Sequence, residues 1–247
     1  MKNIERMRMI GIYYGLTQGE EFDFDKNQNN LLIKMRHKSQ TVNDRGLKKL
    51  QAVDYKKCIY NCLLIKQKFI GRGPRYIYLF KNQICIGKDF KSPFIQIPER
   101  QFQINQDIRI QWSYKKNQLK SVIFYVGGEQ LEYFGTNQQL RELKQKCALY
   151  VFQVKIQDEY QAESILGQGS YATVLELSNL QTQKQFAAKC IDQQRINEKK
   201  NGYKQLLQEI ETMRVLSEIK HQNILQLYEL YIGNQNYYLV MEDHSCL

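Results

Sequence analysis

The stretch "ILGQGSYATVLEL", Ile165–Leu177, constrains this chain more than any other. Gly167 and Gly169 stand two apart behind the apolar pair Ile165-Leu166, so a turn is expected there. The residues beyond the turn decide the fold. Ala172-Thr173-Val174-Leu175-Glu176-Leu177 alternates and is rich in β-formers, so it reads as a strand. A dinucleotide-binding fold needs a helix directly after its glycines, and a phosphate loop ends in Gly-Lys-Ser/Thr; neither is present. "NLQTQK" (179–184) is a second turn and "QFAAKCI" (185–191) a third strand. The glycines therefore tip an antiparallel strand–turn–strand flap.

A helix is expected next. In "YKQLLQEIETMRVLSEI", Leu206, Ile210, Met213 and Leu216 recur at helical spacing, with Glu209 beside the stripe. "HQNILQLYEL" and "NYYLVMED" follow, similar in place to the fourth and fifth strands of the family that the whole set resembles.

These elements, in this order, resemble the N-terminal lobe of a protein kinase over residues 160–247. "LGQGSYATV" is similar to that family's glycine-rich loop, with Ala172 at the third glycine position. The resemblance implies that Gly167 and Gly169 permit a tight bend and close backbone approach to ATP, with Val174 above the adenine ring. "FAAK" resembles the third-strand motif. Ala187 then leaves room for adenine, and Lys189 faces the α- and β-phosphates. Glu209 is expected to brace Lys189, within salt-bridge distance or close to it with the helix swung outward. Met241 would line the back of the adenine pocket, and backbone groups of Glu242 and His244 would bond the adenine edge. Met213 and Leu227 look like members of the family's internal hydrophobic column. The implied activity is transfer of the ATP γ-phosphate to a protein hydroxyl, Ser/Thr-directed. The His-Arg-Asp loop and the Asp-Phe-Gly aspartate that holds Mg²⁺ are not found in this sequence. The expectation is a lobe truncated at the hinge, weak in ATP binding and inactive alone, with no catalytic residue or metal ligand of its own.

The front of the chain is electrostatically different. From Asp158 onward there are eight Lys/Arg and twelve Asp/Glu, a net of −4, so residues 1–157 carry +15. Residues 1–52 are basic and weakly patterned, and poor order is expected there. Residues 53–152 read as six or seven antiparallel strands, among them "CIYNCLLIK" (58–66), "RYIYLF" (75–80), "NQICIGK", the alternating Ile108, Ile110, Trp112 and Tyr114, "SVIFYV" (121–126) and "QLEYF". A closing helix follows, with Thr136 or Asn137 as N-cap and Leu140, Leu143 and Cys147 on one face. This order resembles a pleckstrin-homology-like domain, a small curved barrel capped by a C-terminal helix. Trp112 lies in a strand, whereas that family places a tryptophan in the helix. The resemblance implies an anion site at the first inter-strand loop, here Lys66, Lys68, Arg72 and Arg75, taking phosphoinositide headgroups. Gly73 stands where the family's headgroup pattern wants a further cation. The expected fold class is thus α+β: a helix-capped antiparallel barrel (53–152), then a five-stranded lobe with one helix (153–247).

The remaining composition narrows the classes. The six cysteines form no Cys-x-x-Cys pair and the chain has three histidines, so zinc-ligand spacing is missing. Buried free thiols and a reducing, cytoplasmic setting are expected, with peripheral membrane association through the basic front. No stretch reaches the roughly 18 apolar residues of a membrane helix. The aromatics fall at strand-core positions, which argues against nucleic-acid binding. The alternative reading is a non-catalytic adaptor that binds phosphoinositide or a protein partner.

Overall fold

The computed structural model describes residues 50–67, 72–88, 95–104 and 108–242. They form two units that meet in sequence at Val151 and Phe152. The segment expected to be poorly ordered, 1–52, lies outside the described residues except for its last three.

In the first unit a two-residue pair, β1 (Val53–Asp54) with β5 (Ile95–Gln96), flanks a seven-stranded antiparallel sheet. One run contributes β2 (Tyr60–Gln67), β3 (Arg72–Leu79), β4 (Gln83–Gly87) and β6 (Arg100–Gln103). A second contributes β7 (Arg109–Lys115), β8 (Gln118–Val126) and β9 (Glu129–Phe134). The last strand returns to the first through Ile65↔Phe134 and Lys66↔Tyr133, giving the order β6-β4-β3-β2-β9-β8-β7. The tight turns follow from backbone chemistry. Gly127 and Gly128 have φ of 55° and 82°, a region that suits residues without a Cβ, and Lys116-Asn117 adopts the same hand at 51° and 60°.

Alternation places one face of each strand of the seven-stranded sheet in a common core. Leu64, Ile77, Leu79, Ile84, Ile86, Ile110, Trp112, Val122, Phe124 and Tyr133 are all buried there. Helix α1 (Asn137–Cys147) closes that core with Leu140, Leu143 and Cys147. Thr136 is its N-cap: the Thr136 hydroxyl accepts from the Gln139 amide, and Gln139 reciprocates on the Thr136 amide.

The second unit is built on one five-stranded antiparallel sheet. Its strands are β10 (Tyr160–Gln168), β11 (Ala172–Asn179), β12 (Gln185–Asp192), β13 (Leu227–Ile232) and β14 (Asn236–Glu242), ordered β10-β11-β12-β14-β13. One face buries Tyr160, Ala162, Leu175, Leu177, Phe186, Ala188, Cys190, Tyr231, Tyr238 and Val240. Two buried phenols, Tyr160 and Tyr231, donate to the Glu229 carboxylate at 3.0 and 2.7 Å.

Two expectations for this unit are corrected. A single helix is expected, but there are two: α2 (Gln193–Glu198) precedes α3 (Gly202–Ser217). Asp192 starts α2 by accepting the Gln194 and Arg195 amides. The apolar stripe of α3 also ends earlier than expected. Leu206 and Ile210 are buried and Met213 is half-buried, yet Leu216 is 39% exposed. At eleven residues past Leu206, Ser217 is the inward position of the next turn. Its hydroxyl accepts the Leu227 amide at 2.8 Å and donates to the Met213 carbonyl, so a hydrogen bond stands where a methyl cluster is expected.

Candidate functional site

Cross-strand partners share a face of a sheet, so the register of the second unit sorts its side chains. Gly167 pairs with Val174, Val174 with Lys189, and Lys189 with Leu239. The neighbouring row runs Glu176, Ala187, Met241 and Leu227. Val174, Ala187, Lys189, Met241 and Leu227 therefore project from one face, the one opposite the Leu175–Leu177 core. The sequence expectations concerning these five positions share one surface.

Helix α3 brings the partner. Glu209 Oε1 lies 2.5 Å from Lys189 Nζ, and the two side chains are 30% and 27% exposed. The helix is thus in the inward position of the two that the sequence leaves open. A lysine held by a carboxylate from another element loses much of its rotamer freedom.

The glycines act differently from expectation. Neither Gly167 nor Gly169 adopts the left-handed backbone that glycine alone tolerates well. A Cβ on Gly167 would meet nothing within 4 Å, and one on Gly169 would only touch the Ala172 carbonyl at 3.4 Å. The bend does not require them; it closes through the Gly169 amide and the Ala172 carbonyl at 2.9 Å. What glycine provides at Gly167 is open space beside the backbone. A side chain there would occupy room that this chain leaves unfilled.

Three residues that sequence reasoning missed surround the tip of the turn. The Tyr171 ring lies 5.6 Å from Lys189 Nζ and 4.2 Å from Lys199 Nζ, within cation–π range of both. Burial, and then the Glu209 carboxylate, push the Tyr171 phenol above its usual range. Arg195 of α2 donates through Nη1 to the Ser170 carbonyl. The signal for Tyr171 was its place at the turn's apex; Arg195 sits in "DQQRINEKK", which shows no apolar period. Of the adenine-edge residues, Glu242 ends β14 and donates its amide to the Gln226 carbonyl at 2.9 Å. His244 lies outside the described residues.

The headgroup candidates of the first unit fare less well. Lys68 lies outside the described residues, and Arg72 is described only as the first residue of β3. Lys66, Arg75 and Arg100 project from the core-facing side at one end of the sheet, alongside acids. Arg75 Nε bonds Glu99 at 2.6 Å and Arg100 Nη1 bonds Glu129 at 2.8 Å. Of the four expected headgroup residues, Arg75 is thus already paired with a carboxylate, and Arg100, not among them, is paired beside it. Burial, then the charges of Arg100 and Arg75, hold the Lys66 ammonium below the usual lysine range. Among the described residues no group of three or more His, Cys, Asp or Glu is placed to hold a metal ion.

Comparison with known proteins bears on the second unit. Residues 160–246 match the family model described as "Protein kinase domain". The chain is 27% identical over 184 residues to "Probable serine/threonine-protein kinase fhkA" of Dictyostelium discoideum, covering 74% of this chain and 27% of that protein. It is 33% identical over 92 residues to "Calcium-dependent protein kinase 4" of Plasmodium berghei (strain Anka), covering 37% of this chain and 17% of the relative. Over 88 residues it is 36% identical to "Calcium/calmodulin-dependent protein kinase type 1" of Caenorhabditis briggsae, covering 35% and 23%. The first alignment is longer than the family match and so reaches into the preceding unit. The chain spans less than a third of the length of these relatives. Its second unit carries a protein kinase domain match, with serine/threonine and calcium-dependent protein kinases as relatives.

Proposed function

We propose that residues 153–247 form the ATP-binding lobe of a serine/threonine-directed protein kinase, which transfers the γ-phosphate of ATP to a protein hydroxyl. The observation that carries this reading is the Lys189–Glu209 pair at 2.5 Å, on the same sheet face as Val174 and Ala187 and in register with Gly167 through Val174. A fixed ammonium neutralises phosphate charge without first having to be ordered. Val174 and Ala187 offer an apolar slot for the adenine ring and Met241 its rear wall, with the chain at Glu242 along its edge. ATP would supply the phosphoryl group and magnesium would shield its charge.

The test is nucleotide binding by the 247-residue chain, measured by calorimetry, with Lys189→Met and Glu209→Gln as variants. ATP binding that is lost in Lys189→Met and weakened in Glu209→Gln is the expected result. Equal ATP binding by wild type and Lys189→Met overturns the reading.

For residues 53–152 we propose a pleckstrin-homology-like domain that recruits the protein to anionic membranes. Its support is the strand order, in which two antiparallel runs are joined by β9 returning to β2 and followed by α1. The matched ion pairs at the Lys66 end argue for modest headgroup affinity. Sedimentation with phosphatidylcholine vesicles, with and without phosphatidylinositol bisphosphate, tests it: binding only to the latter, weakened by Lys66→Ala, is expected. Equal pelleting with both vesicles counts against recruitment by headgroup.

A further inference from the structure

Phe152, just past the junction of the two units, is fully buried, at 0% exposed. Its ring lies 5.3 Å from that of Tyr237. The backbone beside it is fixed to the sheet edge. The Gln153 amide donates to the Leu230 carbonyl at 2.9 Å, and the Gln153 carbonyl accepts the Ile232 amide at 2.8 Å. Ile232 is the cross-strand partner of Tyr237, so these two bonds keep the phenyl ring beside Tyr237. On the other neighbouring strand Tyr237 pairs with Ile191, two residues beyond Lys189. Residues two apart on a strand share a face, so Tyr237 projects from the same face of the sheet as Lys189.

Helix α3 lands on that face. Tyr203, in its first turn, places its ring 6.0 Å from Tyr237, so Tyr237 meets one ring from the entry segment and one from the helix. Tyr203, Leu206 and Ile210 share one face of the helix, and Leu206 and Ile210 are buried. The far end of α3 is tied separately, by the Ser217 hydroxyl on the Leu227 amide. Glu209 lies between the two attachments. Glu209 and Tyr203 stand about 12 and about 21 Å from Ser217 along the helix axis. A shift at the Tyr203 end therefore reaches Glu209 at roughly half its size. A displacement of about 2 Å at Glu209 takes the 2.5 Å ion pair out of contact.

We propose that Phe152 is a positioning residue for the Lys189–Glu209 pair: by filling the space against Tyr237 it makes that ring a firm seat for the first turn of α3, and so keeps Glu209 on the lysine. Without the phenyl ring, Tyr237 relaxes into the emptied volume, because packed interiors leave few voids unfilled. Tyr203 then loses its support, the helix tips about its Ser217 end, and the carboxylate withdraws. Phe152 acts through Tyr237 and the helix, not on the ligand. For its effect on ATP the inference rests on the ATP-binding reading of the lobe; the hold on the ion pair does not depend on it.

Two measurements on the full 247-residue chain test it, with wild type, Phe152→Leu, Tyr203→Leu, Glu209→Gln and Tyr231→Phe. The leucine variants keep an apolar side chain and lose the ring. Tyr231→Phe disturbs the opposite face of the same sheet and is the control for general loosening. The first measurement is trace acetylation of Lys189 by acetic anhydride without nucleotide, read by mass spectrometry. An ammonium held by a carboxylate acylates slowly. Labelling should rise several-fold in Glu209→Gln, Phe152→Leu and Tyr203→Leu and stay at the wild-type level in Tyr231→Phe. The second measurement is affinity for ATP and for adenosine. Phe152→Leu should weaken ATP about tenfold, the scale of one hydrogen bond to a charged group, and leave adenosine unaltered. In a Glu209→Gln background it should have no further effect, because the pair it serves is already broken. Unchanged labelling in both leucine variants overturns the proposal, as does an equal rise in Tyr231→Phe. So does a loss of ATP affinity that adds to that of Glu209→Gln or that adenosine shares. If Phe152→Leu does not fold, Tyr203→Leu carries the same expectations. If wild type binds neither compound, the ATP reading fails, and labelling alone still decides whether Phe152 holds the pair.

Discussion

Gly202 opens helix α3 directly against the carbonyl of Ile196 in α2: a Cβ added there would lie 2.1 Å from that oxygen and 3.0 Å from its carbon. Both obstacles are backbone, so neither can swing aside as a side chain would. Gly202→Ala must therefore push the two helices apart. Overpacking of this kind costs about 1–3 kcal/mol, and chemical denaturation of the second unit should show the loss. A midpoint equal to wild type would mean that the helices separate freely.

Gly167→Ala is the opposite case. The backbone there is not left-handed and the new methyl meets no atom of the chain. Stability should stay within about 0.5 kcal/mol of wild type, as for a surface substitution, while ATP affinity falls because the methyl fills the space the turn leaves open. A large stability loss would show that the glycine serves the fold and not a ligand.

Tyr231 is buried, and its hydroxyl donates to Glu229 at 2.7 Å, beside the bond from Tyr160 at 3.0 Å. The Tyr231 phenol is raised well above its usual range, by burial first and then by Glu229. Tyr231→Phe removes a donor from a carboxylate in a buried cluster and should cost about 1–2 kcal/mol in urea denaturation. Tyr231→Phe with Glu229→Gln should cost less than the sum of the two single changes, because the carboxylate that needed the donor is gone. Strict additivity would show that the two groups do not share a network.

The first unit should lose stability in alkali for an identifiable reason. Burial pushes the Cys62 and Cys85 thiols up to about 12, and raises Cys147 further. An unfolded thiol ionises near the ordinary value of about 8.5. Above that pH the unfolded chain sheds protons that the folded one keeps, so folding stability falls as pH rises between the two values. It is fully present below about pH 8. Urea midpoints at rising pH should decline, and Cys85→Ala should decline less steeply. Parallel slopes for the two proteins would remove the thiol from the account.

How far the sequence reveals this molecule depends on the range over which each feature is decided. The strand–turn–strand flap, Lys189, Glu209 and the Thr136 cap rest on local patterns, and they stand where reading from the residues puts them. The same holds for the strands of the first unit that carry alternating apolar residues. Strands β5 and β6 are harder: "RQFQ" has one apolar residue, and two residues at Ile95–Gln96 have no period. Helix α2 is six residues, too short for a stripe to declare itself. Ion pairs are the least legible. Arg75 meets Glu99 from 24 residues away and Arg100 meets Glu129 from 29, so the cations that look available in the sequence are matched only once the sheet is assembled. Arg195 and Ser170 are likewise 25 apart, joined by the register of three strands and not by any motif.

The return of β9 to β2 also governs how the first unit comes into being. Its hairpins can zip up as each is made, but the seam at Ile65 and Lys66 joins the opening strand to the closing one. Chain entropy must be surrendered across nearly the whole unit before that seam yields any contact energy. Folding should accordingly be slow relative to a meander of equal length. During synthesis the edge of β2 remains bare until Phe134 has left the ribosome, and for that interval it is the place most exposed to pairing with the wrong strand.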